Sequence, residues 1–197
     1  MLKQFYRENK IKAPTKGRRF VVGDIHACYA TFKCLLEKKI QLNKNDQLFL
    51  LGDYIDKGPE SKKSLNYIME LIKKGYAIYP LRGNHEQILL DTETNDSKEI
   101  LAWLMRRSPN MLKNGKLRKK HRIFLNSLPF YYELDNFFLV HANFNYEAKK
   151  PFKDKIAMLW KRKFDWDAKV LKKKTLIHGH QPINSWCWVE SVDKLTG

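Results

Sequence analysis

Acidic and imidazole side chains recur in this sequence just after short apolar runs. Asp24 and His26 follow RFVVG, Asp53 and Asp56 follow QLFLLG, and Asn84, His85 and Glu86 follow AIYPLRG. His141 closes FFLV, while His178 and His180 flank the glycine after TLI. Five of the six histidines lie in these tails, and only His121 does not. Carboxylate, amide and imidazole groups bind divalent transition metals, and carboxylate and imidazole also move protons. A single histidine after a strand is ordinarily a core or surface residue. Five such tails form a candidate metal and acid–base centre.

The elements that would gather these side chains can be read from the runs themselves. Near-continuous apolar segments bounded by turn residues are expected to be strands buried on both faces. They occur at 19–24, 47–53, 77–83, 137–141 and 175–179. Between the first three lie helical patterns, with Phe32, Leu35, Leu36 and Lys39 in 29–39, and Leu65, Ile68, Met69 and Ile72 in 61–74. Alternating strand and helix predicts an α/β fold whose sheet starts out mainly parallel. The carboxyl ends of such strands line the crevice where ligands bind, so groups distant in sequence would converge there. Residues 92–128 are expected to be an inserted, basic helical cap anchored by Trp103 and Leu104. YYELDNFFLV (131–140) reads as a hairpin turning at Asp135 and Asn136.

Bulk properties bound the function. A chain of 197 residues suits a single domain spanning 1–197. It needs no disulfide staples, and Cys28, Cys34 and Cys187 show no paired spacing, so reduced thiols and a cytoplasmic location are expected. No apolar run approaches the roughly 18 residues of a membrane span, and the basic first 19 residues lack the apolar core of a secretory signal. The net charge of +17 attracts anions, whether phosphorylated substrates, nucleic acid or acidic surfaces. The charge is clustered: 105–122 holds eight Lys/Arg and no acid, and 149–174 holds eleven against three acids. Both clusters could equally be solvated surface.

GDIHA (23–27), GDYIDKGPES (52–61), RGNHE (82–86), VHAN (140–143) and HGHQP (178–182) resemble, in type and order, the motifs of the calcineurin-like metallophosphoesterases. The resemblance is to the phosphoprotein phosphatase branch, with its bacterial serine/threonine phosphatases and symmetrical diadenosine tetraphosphatases. It implies central β-sheets flanked by helices in a metallophosphatase-type sandwich. It also implies two divalent metal ions, Mn2+ first and Fe or Zn2+ as alternatives. Asp24, His26 and Asp53 would hold one ion, and Asp53, Asn84, His141 and His180 the other. His178 is an alternative to His180, which is preferred because it follows the glycine. A bridging carboxylate lets two cations lie ~3.5–4 Å apart, where they acidify one water and clamp a phosphoryl group. A metal-bridging hydroxide would then attack, and no Ser or Cys nucleophile is needed; Cys28 reads as a small buried helix residue. His85 would protonate the leaving oxygen with Asp56 as its carboxylate partner. Lys57, Arg82 and Arg162 would bind substrate, with Trp160 anchoring the last.

The implied activity is phosphomonoester hydrolysis, with phosphoserine or phosphothreonine in proteins as substrates. Symmetrical hydrolysis of dinucleoside tetraphosphates or other nucleotide and RNA ends is the alternative. A weakly catalytic polyanion-binding protein is a third reading. Phosphoproteins or nucleotides, and nucleic acid at the basic patches, are the expected partners. Four departures from the family pattern stand out. Ala27 and Asn143 occupy positions where Gly is usual, and Asn tolerates positive φ better than most residues. Lys57 replaces an Arg and loses its two-pronged grip. Only 17 residues follow His180, so the C-terminal sheet is expected to be shortened or the sequence truncated.

Overall fold

The computed structural model describes residues 9–91, 102, 108, 111–113, 116–163 and 165–182. The first strands are β1 (Arg19–Val22), β2 (Gln47–Leu50) and β3 (Ala77–Pro80), which form one parallel sheet in that order. Parallel neighbours need crossovers. These are α1 (Tyr29–Cys34), which continues as a π-helical turn over Leu35–Lys39, and α2 (Ser61–Lys73). A second sheet takes β6 (Tyr131–Glu133), β7 (Phe137–Val140) and β8 (Thr175–His178), antiparallel and then parallel. The hairpin closes where expected, with Leu134 N–H donating to Phe137 O at 2.8 Å.

The period of two along β2 explains how the layers stack. Leu48 and Leu50 face the helices, in a core with Phe32, Leu36, Leu65, Ile68, Leu71 and Ile72. Phe49 and Leu51 face the other way, onto Tyr132, Leu134 and Leu139 of the second sheet. β2 is therefore buried at every position, the physical reason its sequence is a continuous apolar run. In β7, Leu139 faces the first sheet while Phe138 and Val140 pack outward on Phe144, Met158 and Leu171. The result is an α/β fold with two sheets face to face and helices outside.

Two helices complete the frame of the site. α3 (Asn84–Asp91) starts within a few residues of β3, and α5 (Lys155–Trp160) packs Met158 beneath the second sheet. The 92–128 segment differs from a wholly helical cap. Leu112–Lys113 (β4) and Lys116–Leu117 (β5) pair as an antiparallel ribbon, and α4 (Lys119–Ser127) follows. The overlooked signal was Asn114-Gly115, the dipeptide that favours two-residue hairpins. Trp103, Leu104, Cys187 and the chain after 182 lie outside the described residues, as does any shortening of the C-terminal sheet.

Candidate metal centre

The loops after β1, β2 and β3 are laced together through their backbones. Ile25 and His26 N–H both donate to Asp53 O (3.0 and 2.8 Å), and Ala27 N–H donates to Tyr54 O (2.9 Å). Packing this tight explains the motif glycines. A Cβ on Gly52, at φ +108°, would lie 2.6 Å from Gly83 N, and one on Gly83 would lie 2.2 Å from Asp53 Oδ1. Non-glycine residues also sit in the left-handed region: His26, Ala27, Asp53, Asp56, Lys57 and His180, with φ from 44° to 68°. Such strain persists only where surrounding contacts over-determine the backbone, and it clusters at functional sites. Ala27, at φ +58°, shows why glycine would be favoured there. Asn143 does not share that conformation. Its Nδ2 donates to Lys163 O and Asp165 O, and its Oδ1 accepts from Phe144 N–H and the Tyr146 hydroxyl, so it ties two loops together by its side chain.

Two groups of ligand atoms converge, His26–Asp53–His85 and Asp53–His141–His180, each group lying within 4.8 Å. Asp53 belongs to both. His141 shows what the arrangement requires. Its Nδ1 faces the Leu51 carbonyl at 2.9 Å, an obligate acceptor, so this nitrogen carries the proton and Nε2 carries a lone pair. That lone pair faces Asn84 Oδ1 at 2.8 Å and Asp53 Oδ1 at 3.5 Å. Acceptors aimed at one another repel unless a cation lies among them. His26 repeats the pattern: Nδ1 on Ile55 O at 3.2 Å, and Nε2 toward Asp53 Oδ2 (3.7 Å) and Asp24 Oδ2 (3.8 Å). The Lys57 ammonium, 2.7 Å from His26 Nε2, places a positive charge there. His180 Nδ1 lies 3.1 Å from Asn84 Oδ1, and its buried Nε2 has no partner among the described residues. Three oxygen-bearing side chains and three imidazoles fit divalent cations of intermediate hardness.

Electrostatics agree with the geometry. Burial pulls the His141 imidazole down to about 4, and burial followed by the neighbouring His141 does the same to His180. Burial lowers His26 as well. The three rings are therefore held neutral, the form that binds metal. Burial, reinforced by Asp24, pushes the Asp53 carboxyl up. Asp24 Oδ1 also accepts the backbone N–H of His180 at 3.1 Å, which joins the first loop to the last.

His85, whose ring meets that of His26 edge-on at 4.9 Å, differs from the other rings in having a carboxylate partner on Nδ1. Its Nδ1 lies 2.8 Å from a carboxylate oxygen, Asp56 Oδ2, and its Nε2 lies 3.9 Å from Asp53 Oδ2. Lys57 and Arg162 are exposed beside this cluster, and the Arg162 charge helps to lower His180. His178 lies outside both ligand groups, its Nδ1 against Gly179 O at 3.1 Å.

Two expectations need correction. Arg82 is not turned to a phosphate. Its Nη1 donates to Gln87 Oε1 (2.9 Å) and its Nη2 to Leu125 O and Asn126 O (3.0 Å each), and the guanidinium lies 4.9 Å from the Phe130 ring. It holds the end of α4 against the β3–α3 loop. Cys28 is exposed and immediately precedes α1 rather than being buried within a helix. Residues given no role by the sequence also matter. Glu86 is wholly buried: Oε2 accepts N–H from Asp53 (2.8 Å) and Gly83 (3.0 Å), and Oε1 accepts from Tyr54 (2.8 Å). Its place in RGNHE was the available signal. Ser61, which closes GDYIDKGPES, accepts the Asp56 N–H, whereas Ser108, which also contacts Asp56, carried no comparable signal.

This fold and donor set define a phosphoesterase-type metal centre. The chain belongs to the calcineurin-like phosphoesterase family, whose model matches residues 17–195. It is 35% identical over 128 residues to a symmetrical bis(5'-nucleosyl)-tetraphosphatase of Wigglesworthia glossinidia brevipalpis, covering 56% of this chain and 45% of that protein. It is 38% identical over 117 residues to the protein of the same name from Buchnera aphidicola, covering 51% and 41%. The chain thus matches less than half the length of these relatives. Its fold is similar to a Saccharomyces cerevisiae protein serine/threonine phosphatase (16% identity, TM-score 0.54, covering 81% of this chain and 55% of that one). It is also similar to a cold-active protein-tyrosine phosphatase of a psychrophile Shewanella species (19% identity, TM-score 0.52, covering 73% and 46%). No described helix is long and apolar enough to cross a membrane.

Proposed function

We propose that the chain hydrolyses phosphoric esters and anhydrides at a two-cation centre, with dinucleoside tetraphosphates as substrates, cleaved at the central phosphoanhydride, and nucleoside diphosphates as products. The observation that carries this reading is Asp53 shared between two ligand groups, with the His85–Asp56 pair alongside. Asp24, His26 and Asp53 would hold one cation, and Asp53, Asn84, His141 and His180 the other. When bound, such a pair polarises phosphoryl oxygens and lowers the pKa of water. Lys57 and Arg162 offset the negative charge of the phosphate chain from the open side. His85 delivers a proton from Nε2 to the leaving oxygen, while Asp56 holds the ring through Nδ1–H.

The nucleotide reading draws support from the naming of the two bacterial relatives. Trp160 adds to it, being 43% exposed with its ring 6.3 Å from that of His180, so that it offers a flat face for a base beside the phosphate site. The His85–Asp56 pair favours a second reading, hydrolysis of phosphomonoesters such as phosphoserine or phosphothreonine in proteins. An alkoxide needs a donated proton more than a nucleoside diphosphate does. Protein stripped by chelator and reloaded with Mn2+, Fe2+ or Zn2+ is offered diadenosine tetraphosphate and a phosphoserine peptide, and the products are separated. Two nucleoside diphosphates per tetraphosphate are expected. Free phosphate from the peptide alone establishes the second reading, and no turnover of either by metal-loaded protein refutes both.

A further inference from the structure

Asp56 is fully buried, at 0% exposure, and it sits at φ +66° in a tight turn. A carboxylate on so short a side chain can orient an imidazole only if its own rotation is stopped. One oxygen, Oδ2, faces His85 Nδ1 at 2.8 Å. The other, Oδ1, accepts a hydrogen bond from the hydroxyl of Ser108, a residue 2% exposed and 52 positions away in sequence. Ser108 Oγ also lies 2.9 Å from Ser61 Oγ, which in turn accepts the Asp56 backbone N–H at 3.0 Å.

The direction of each bond follows. Asp56 N–H can only donate, so Ser61 Oγ accepts there and has its own proton for Ser108. Ser108 then spends its proton on Asp56 Oδ1. The ring Asp56 N–H to Ser61 to Ser108 to Asp56 Oδ1 is closed, and every donor has one acceptor. Without the Ser108 hydroxyl, Oδ1 would be a buried acceptor with one partner fewer, and the carboxylate plane would be free to turn away from His85.

We infer that Ser108 is a positioning residue for the proton donor, fixing the Asp56 carboxylate so that His85 Nε2 is presented to the leaving oxygen. Ser108 lies in the 92–128 segment, so a region outside the family motifs completes the acid. The inference rests on His85 acting as the acid in the function proposed above. It makes no use of the cations directly. A misplaced acid harms only those substrates whose leaving group requires a proton.

The test compares Ser108→Ala and Ser108→Thr with the parent on two phosphomonoesters. One is 4-nitrophenyl phosphate, whose anion leaves unassisted, and the other is an alkyl phosphate. Misplacement of a catalytic group by about 1 Å can cost ~100-fold. Ser108→Ala should therefore lower kcat on the alkyl ester by about 10–100-fold, leave KM and the nitrophenyl rate near the parent values, and be rescued by Ser108→Thr. Equal losses on both esters, or no loss on either, overturn the assignment. A readout independent of turnover is the His85 Nδ1–H proton resonance in metal-free protein. It should move in Ser108→Ala and return in Ser108→Thr, and an unmoved resonance overturns the proposal even if the parent hydrolyses neither ester. Parent protein inactive on both esters, with the resonance shifted as expected, counts against the proposed function and not against the positioning of Asp56.

Discussion

Arg82→Met separates a substrate clamp from a structural tie. The side chain makes three hydrogen bonds, to Gln87 Oε1, Leu125 O and Asn126 O, and packs its guanidinium over Phe130. Hydrogen bonds from a charged donor contribute roughly 1.5–3 kcal/mol each, and a cation–π contact about 0.5–2 kcal/mol. These do not sum. Burial opposes the Arg82 charge, and its buried Nε has no partner among the described residues, so part of the gain is offset. Methionine restores the apolar stem but none of the bonds, and it leaves the Leu125 carbonyl inside the fold without this donor. A net loss of about 2–4 kcal/mol follows, which for a domain of this size lowers Tm by roughly 5–15 °C. Differential scanning fluorimetry measures the fall, and steady-state kinetics at a temperature where the variant is folded should show KM within about twofold of the parent. A Tm within about 1 °C of the parent together with a KM raised about tenfold would refute the structural assignment and restore the clamp.

Glu86→Ala leaves the N–H groups of Asp53, Tyr54 and Gly83 without their acceptor, each at a cost of about 1–3 kcal/mol. Calorimetric titration with Mn2+ should show weakened binding, and an unchanged affinity would mean that the Asp53 loop holds its shape without Glu86. Lys57→Ala removes the ammonium beside His26 Nε2 and is expected to lower kcat/KM by about 10–100-fold, with Lys57→Arg equal to or better than the parent. Parental kinetics for Lys57→Ala would exclude any substrate role. Burial pulls His121 down to about 4, so the fold prefers its neutral form; that stability is complete above the unfolded value near 6.5 and is lost as pH falls toward 4. The Arg18 guanidinium holds Asp46 well below the usual carboxylate range, so its contribution is lost only at lower pH still. Tm measured from about pH 8 to about pH 2 should fall in two stages, and His121→Asn should flatten the upper one; an unaltered upper slope would show that His121 does not drive it.

The parallel opening of the fold and the residues of the centre were legible because both depend on local pattern. A strand buried on two faces must be continuously apolar, so QLFLL announced β2, and the 3.6-residue spacing of Leu65, Ile68 and Ile72 announced α2. Ligand types after successive strand ends then had one place to meet. Sequence also placed the hairpin at Asp135–Asn136, whereas the close contacts that exclude a side chain at Gly52 and Gly83 are set by the packing of the loops. Direction was not legible. Arg82 precedes Gly83 and Asn84, yet its side chain turns to α4, because a helix end 43 residues onward offers carbonyl oxygens to a guanidinium. Lys57 and Cys28 carried no signal of which way they face. Ser108 shares no motif with Asp56, and only the packing of the 92–128 segment against the β2 loop brings its hydroxyl to the carboxylate. Residue chemistry and periodicity are written locally and determine which groups are available. Which of them touch is settled by long-range packing, where one turn of a side chain decides between binding substrate and binding the fold.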